Sequence, residues 1–250
     1  MNYYTGYPIL ADHMPFKKFL SVLLFLYCAV NCMGQETVDK HDKIFDNLIE
    51  RFTVLKDSPT VKHGLYQVFA KRNKLVARGM YTMCKKTGTW HFYNKSGQLM
   101  QIYNYDEKRL QFEAKQYIGS NISYLIDKTI TDKDTVTKPV KAGGRYFGYL
   151  PYLSLYKTPF SPFDYSINGA LAEVELLISP LGRLADYKVT VLFPFINYTQ
   201  TLRLDPRMLK EEDREFIPAT FNRVPILSRI IIKCRLDDDG GLLFQYYDEF

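Results

Sequence analysis

Two stretches of the chain superimpose at a constant offset: HGLYQVFAKRNKLVARGMY from His63 and TGTWHFYNKSGQLMQIYNY from Thr87. Gly64 falls on Gly88, Tyr66 on Trp90, Val68 on Phe92, Phe69 on Tyr93, Lys71 on Lys95, Leu75 on Leu99 and Tyr81 on Tyr105, always 24 positions apart. Each copy reads as a glycine, an alternation of large and polar residues, a short polar turn and a second alternating run. That is the pattern of a β-hairpin. Asn73 and Gly97 occupy the same place in the turn, and both residue types tolerate the positive φ of a tight hairpin. One hairpin cannot bury its aromatic face, whereas a second copy beside it supplies the missing neighbour. The duplication therefore predicts a sheet with a continuous ladder of rings.

The spacing of glycine, one residue, aromatic, two residues, aromatic (Gly64, Tyr66, Phe69; Gly88, Trp90, Tyr93) resembles the MORN-type repeat, in the variant seen in bacterial exported proteins and in proteins labelled antitoxin components. The two copies cover residues 62–106. The family marks scaffolds more than activities, so the resemblance implies a binding surface. Composition agrees with a β-rich chain: 20 Tyr and 17 Phe stand against one Trp, and aromatic residues suit a pleated, half-buried surface.

On either side of the repeat the pattern changes. Before it, Ile44, Phe45, Leu48, Ile49, Phe52 and Leu55 recur at steps of three and four, which predicts an amphipathic helix over residues 40–55, within a segment 35–60, stopped by Asp57, Ser58 and Pro59. After it, residues 111–157 read as short β pieces, 123–131 and 135–140 flanking a turn at Asp132–Asp134, that extend the same sheet. GGRYFGYLPYLSLYKTPFSPF, with Gly143, Gly144, Gly148, Pro151, Pro159 and Pro162, then interrupts the periodicity. It predicts a boundary between a hairpin-repeat domain, 61–157, and a second domain, 158–250. Its five rings from Tyr146 to Tyr156 either fill that junction or line a groove.

The second domain reads as strand 171–178 (LAEVELLI), turn 179–182 (SPLG), return strand 183–193, a helix with Asp205 as N-cap and Pro206 at its first position, ending before Pro218, and a last strand 226–236 (ILSRIIIKCRL). This order resembles the C-terminal domain of the TonB family of energy transducers, on Val174, Leu176 and Ile178, Gly182, Leu184, Tyr187 and Val189, and Val224 with Pro225. The resemblance implies a small α+β domain whose sheet edge accepts a partner's strand. The Pro-rich arm of a working transducer has no counterpart here, which argues against coupling to a proton gradient. The fold class expected for the whole is mainly β with an α+β part.

MPFKKFLSVLLFLYCAVNCMGQ carries Lys17 and Lys18, an apolar run and a small residue at Gly34, the layout of a secretory signal. The expectation is export to the periplasm or beyond with residues 1–34 removed, Met14 being the better initiator. The apolar run is short for a bilayer span. Neither Cys28 nor Cys32 is preceded by a lipidation pattern. Cleavage leaves 31 basic and 26 acidic side chains, a net charge of +5, dispersed rather than gathered in a stripe, which argues against a nucleic-acid partner. Cys84 and Cys234 remain, and two buried free thiols are expected in preference to a disulfide.

His41, His63 and His91 are isolated in sequence, and no nucleophile elbow, zinc-binding helix or phosphate loop is present. Asp237–Asp239 with Gly240 lacks the spacing and bidentate Glu of a calcium loop and reads as a solvated turn. Residues 210–215 (KEEDRE) read as the exposed face of a helix. The expectation is a non-catalytic protein without cofactor or metal, acting as an adaptor for envelope proteins, outer-membrane or TonB-linked ones among them. Its candidate contact surface is Tyr66, Phe69, Trp90, Tyr93, Tyr146, Tyr149, Tyr152, Ile230 and Ile232. Two other readings are an antitoxin or immunity role for the repeat, and a glycan-binding or glycan-processing role for the rings of 146–156.

Overall fold

Period-two alternation carries the chain through the seven strands of an antiparallel meander. In the computed structural model, which describes residues 35–116, 119–158 and 169–245, these are β1 (Thr37–Ile44), β2 (Leu48–Leu55), β3 (Ser58–Ala70), β4 (Lys74–Thr82), β5 (Lys85–Tyr93), β6 (Leu99–Asn104) and β7 (Arg109–Glu113), hydrogen-bonded in chain order. The leader expected at residues 1–34 lies outside the described residues. The duplicated hairpins are β3–β4 and β5–β6, and both turn residues have positive φ, 56° at Asn73 and 90° at Gly97. Tyr66, Tyr81, Trp90 and Tyr105 meet edge to face or tilted, with centroids 5.2 to 5.6 Å apart. This is the ring ladder that the repeat predicts.

The helix expected over 40–55 is instead the β1–β2 hairpin, with Ile44 opposite Leu48. Its turn, at Asp46 and Asn47, adopts φ of 60° and 57°, matching 59° and 56° at Arg72 and Asn73. Leu48, Glu50, Phe52 and Val54 of β2 all face the core. A carboxylate in that inward row broke the apolar alternation and left the remaining hydrophobics at helical spacing.

A second antiparallel sheet is built from β8 (Ile122–Ile126), β10 (Leu171–Ile178), β11 (Leu184–Phe193), β12 (Tyr198–Arg203), β15 (Ser228–Leu236) and β16 (Leu242–Phe244), in the order β12-β11-β10-β15-β16, with β8 also on β15. β8 and β16 share one side of β15, pairing with Ser228–Ile232 and Cys234–Leu236 respectively. A small third sheet joins β9 (Val136–Thr137), β13 (Ala219–Phe221) and β14 (Val224–Ile226). The strands expected at 171–178 and 183–193 and the run through Ile230–Ile232 are therefore present. The pieces expected at 123–131 and 135–140 do not extend the meander, because their partners are β15 and β13.

The helix expected after Asp205 is replaced by two single 3-10 turns, Pro206–Met208 and Glu211–Arg214. Asp205 does cap the first, accepting a hydrogen bond from the Arg207 amide at 2.9 Å. With Leu209 buried and its flanks pinned to the sheets, the segment follows tertiary contacts rather than helical propensity.

Residues 140–156 lie between the two large sheets. Gln101 of β6 accepts from the Gly143 and Gly144 amides at 2.9 Å each and donates to the Lys141 carbonyl at 3.0 Å. Gly143, at φ 125°, lets the chain double back so closely that a Cβ there would lie 2.3 Å from Gly148 Cα. The only α-helix among the described residues, α1 (Leu150–Leu155), follows. Phe147 stacks on Phe92 of the meander at 6.0 Å, while Tyr152 meets Tyr187 of the second sheet at 6.1 Å. One core thus runs through both sheets and this segment, and the described residues from Thr37 onward form a single compact unit across the boundary expected at 157/158. Each fully buried ring stabilises the fold by roughly 2–3 kcal/mol. Among the described residues no helix is long and apolar enough to cross a membrane.

Candidate functional site

The residues expected to form a contact surface are mostly interior. Tyr66, Trp90, Tyr146, Tyr149, Tyr152, Ile230 and Ile232 are all buried. Only Phe69 and Tyr93 lie at the surface, half-buried on the outer face of the meander, where the Arg51 guanidinium sits 4.6 Å above the Phe69 ring. Parity explains the split, since Tyr66 and Phe69, like Trp90 and Tyr93, are three residues apart and so face opposite sides of the sheet. Rings 146–156 fill the junction rather than a groove. The glycan reading therefore loses the residues on which it rested.

A cleft of about 930 Å³ opens where the meander meets the turn at Leu181–Arg183 and the 3-10 segment 210–218. Its meander side carries Lys62, Tyr81, Lys86, Tyr103, Tyr105 and Lys108. Arg183 and Lys210 face them, with Glu211, Glu212 and Glu215 between. The turn and the 3-10 segment are tied together: the Phe216 amide donates to the Gly182 carbonyl at 2.9 Å. Gly182, at φ 70°, has no room for a side chain, since a Cβ would lie 2.3 Å from the Phe216 oxygen.

Ion pairs set the charges in place. Lys86 Nζ lies 3.2 Å from Glu212 and within 5.5 Å of the Trp90 and Tyr105 ring centres. Lys62 Nζ lies 2.9 Å from the buried Glu50 and 4.1 Å above Phe52, and Tyr66 donates to the same carboxylate at 2.6 Å. Arg183 contacts Glu211 and Glu215 at 2.5 and 3.3 Å, and Lys108 reaches Glu215 at 3.5 Å. Beneath the cleft floor, Lys141 is nearly inaccessible; it donates to the Glu212 carbonyl at 2.7 Å and lies 3.9 Å from Asp213.

Burial and these neighbours fix the protonation states. Burial pushes the Tyr81 phenol up, against the pull of Lys86, and also raises Tyr103 and Tyr105. Burial works against the charge on Lys86, but Tyr81, Glu212 and Asp213 outweigh it and hold the ammonium above the ordinary lysine value. For Lys141 burial wins, and its pKa falls to about 8 despite Asp213. Burial likewise raises the Asp213 carboxyl, opposed by Lys141 and Lys86. At neutral pH the cleft thus presents neutral phenols and a surplus of cations over carboxylates. Such a surface complements a carboxylate-bearing ligand with apolar parts.

Other expected features fall as follows. His91 sits half-buried on the meander opposite Arg78 and Ile102. Asp237 forms a closed turn, accepting from the Asp239 and Gly241 amides. Among the described residues the two cysteines are free, Cys234 buried but Cys84 exposed at a β4–β5 turn position with φ 64°. Nothing in the sequence singled out Lys62, Lys86, Lys108 and Arg183, which lie on separate elements, or joined them to residues 210–215. Neither a protein-family model, nor a curated protein, nor a solved structure matches the chain.

Proposed function

We propose that this protein is an exported, non-catalytic adaptor of the cell envelope, and that the cleft between the meander and the 3-10 segment is where it holds an acidic segment of a partner protein. The observation that carries this reading is the cleft lining itself: Lys62, Lys86, Lys108, Arg183 and Lys210 converge around the Tyr81, Tyr103 and Tyr105 rings. Cations on a hydrophobic floor with hydrogen-bond donors at the rim fit an extended peptide carrying Asp or Glu and an aromatic or aliphatic side chain. The secretory layout of the leader supports the location, and the resemblance of the repeat to MORN-type scaffolds supports a binding role.

The test is crosslinking in the native envelope with a photoreactive residue at Lys108, compared with one at Phe112 on the neighbouring edge strand. The expected result is a discrete adduct from position 108 that disappears when Lys210 and Arg183 are both changed to Glu. Equal crosslinking from both positions, unaffected by the charge reversal, would refute the cleft as the docking site.

A further inference from the structure

The two large sheets treat their edges differently. β1, at one edge of the meander, is TVDKHDKI, and β7 at the other begins with Arg109 and ends with Glu113. Charges of this kind block pairing with another chain. β12, at the edge of the second sheet among the described residues, is YTQTLR, with no charge before Arg203 and no proline. In fact the chain carries no charged residue from Val189 to Leu202.

The hydrogen-bond phase of β12 shows which backbone groups are turned outward. Leu204 donates to the Tyr187 carbonyl at 2.9 Å, and the register pairs Val189 with Leu202, Val191 with Gln200 and Phe193 with Tyr198. Antiparallel pairs alternate between bonded and non-bonded, so the amides and carbonyls of 198, 200, 202 and 204 point to β11. Those of Thr199, Thr201 and Arg203 point away from the sheet. Thr199 and Thr201 are exposed, whereas Gln200 is half-buried and its Oε1 is a buried acceptor with no hydrogen-bond partner among the described residues.

We propose that β12 pairs with β12 of a second copy of this chain, antiparallel about a two-fold axis through Gln200. This register is self-complementary. Thr199 lies opposite Thr201 of the other copy, both with outward backbone groups, so the two equivalent pairs form four main-chain hydrogen bonds. Gln200 faces Gln200 in a non-bonded pair, the type in which side chains approach most closely. Oε1 is enclosed by its own chain before pairing, so each Gln200 side-chain amide turns toward the two-fold axis on association. Each NH2 then donates to the other's Oε1, giving the acceptor the partner it lacks in the single chain. Tyr198 falls opposite Leu202, and the adjoining Phe195, 74 % exposed, and Ile196, 48 % exposed, extend the contact. Shifting the axis to Thr201 places Gln200 against Leu202 and leaves that acceptor unpaired.

The test is the oligomeric state of the whole chain with Cys28, Cys32 and Cys84 replaced by serine, followed across a hundredfold concentration range by light scattering after gel filtration. The parent is expected to dimerise, and Thr201→Pro, which removes an outward amide and the 3.3 Å hydroxyl contact with Thr190 but no main-chain bond to β11, is expected to be monomeric with an unchanged circular dichroism spectrum, while Thr201→Val, which removes only the hydroxyl contact, is expected still to dimerise. In the same background Gln200→Cys should form an intermolecular disulfide under mild diamide oxidation and Thr201→Cys should not. A parent that stays monomeric throughout, a Thr201→Pro variant that still dimerises, or crosslinking through position 201 instead of 200 would each overturn the proposal.

Discussion

The indole of Trp90 occupies the space that a side chain at Gly79 would need: a Cβ at Gly79 would lie 2.1 Å from the ring. The largest ring of the ladder is thus seated by the absence of an atom on the neighbouring strand. Gly79→Ala is expected to displace the indole and destabilise the protein by about 1–3 kcal/mol, the usual range for overpacking. Trp90 is the only tryptophan, so its emission reports the displacement directly, and urea denaturation gives the cost. A variant with unchanged emission and midpoint would contradict this packing.

Glu50 should be among the most sensitive positions in the meander. Its carboxylate takes both the Lys62 ammonium and the Tyr66 hydroxyl, and burial followed by the Glu50 charge pushes the Tyr66 phenol far above its ordinary value. Glu50→Ala leaves both groups without their partner and is expected to cost about 3–5 kcal/mol. Glu50→Leu combined with Lys62→Met and Tyr66→Phe should recover most of that loss. Chemical denaturation of the series checks the expectation.

Lys141 should make stability rise with pH. Its folded pKa, about 8, lies below the ordinary lysine value of 10.5, so between these limits the unfolded chain binds a proton that the folded chain has released. Stability therefore increases from about pH 8 towards pH 10, by at most about 3 kcal/mol. Above pH 10 the opposite sign enters, because the buried tyrosines, Tyr81 and Tyr105 among them, ionise more readily when unfolded. Thermal melts from pH 7.5 to 9.5 should show the rise, and Lys141→Met should flatten it.

The two free thiols among the described residues should differ in reactivity. Cys84 is exposed, whereas Cys234 is buried and burial pushes its thiol up. In the native state, Ellman's reagent is expected to modify Cys84 rapidly and Cys234 only at the rate of unfolding. Comparison with Cys84→Ser isolates the first reaction, and a fast phase that survives this substitution and vanishes in Cys234→Ser would contradict the core placement.

The parts of the fold legible in sequence are those where local chemistry and tertiary environment agree. The Gly64/Gly88 repeat, the turn residues Asn73 and Gly97 and the strand 171–178 all show clean period-two patterning, and all are present. The misreadings share a cause. In β2 a charged residue, Glu50, occupies a core slot because Lys62 and Tyr66 reach it from β3, and that pairing is invisible in the local pattern. Segment 205–218 has good helix signals at Asp205 and Pro206 but is pinned as two short turns by contacts to Gly182 and Lys141. The cleft was illegible for the same reason: Lys86 and Glu212, 3.2 Å apart in space, are 126 positions apart in the chain.

The most direct test of the docking reading is calorimetric titration of the protein with an extended peptide of alternating Glu and Phe, against the same peptide with Gln in place of Glu. The expected result is binding of the acidic peptide alone, weakening as salt rises from 50 to 500 mM (about a threefold fall in screening length), and falling at least tenfold (about 1.4 kcal/mol) in the Lys108→Glu, Lys210→Glu double variant. Equal affinity for the two peptides, or an acidic-peptide affinity that the double variant leaves intact, would contradict the assignment of the cleft.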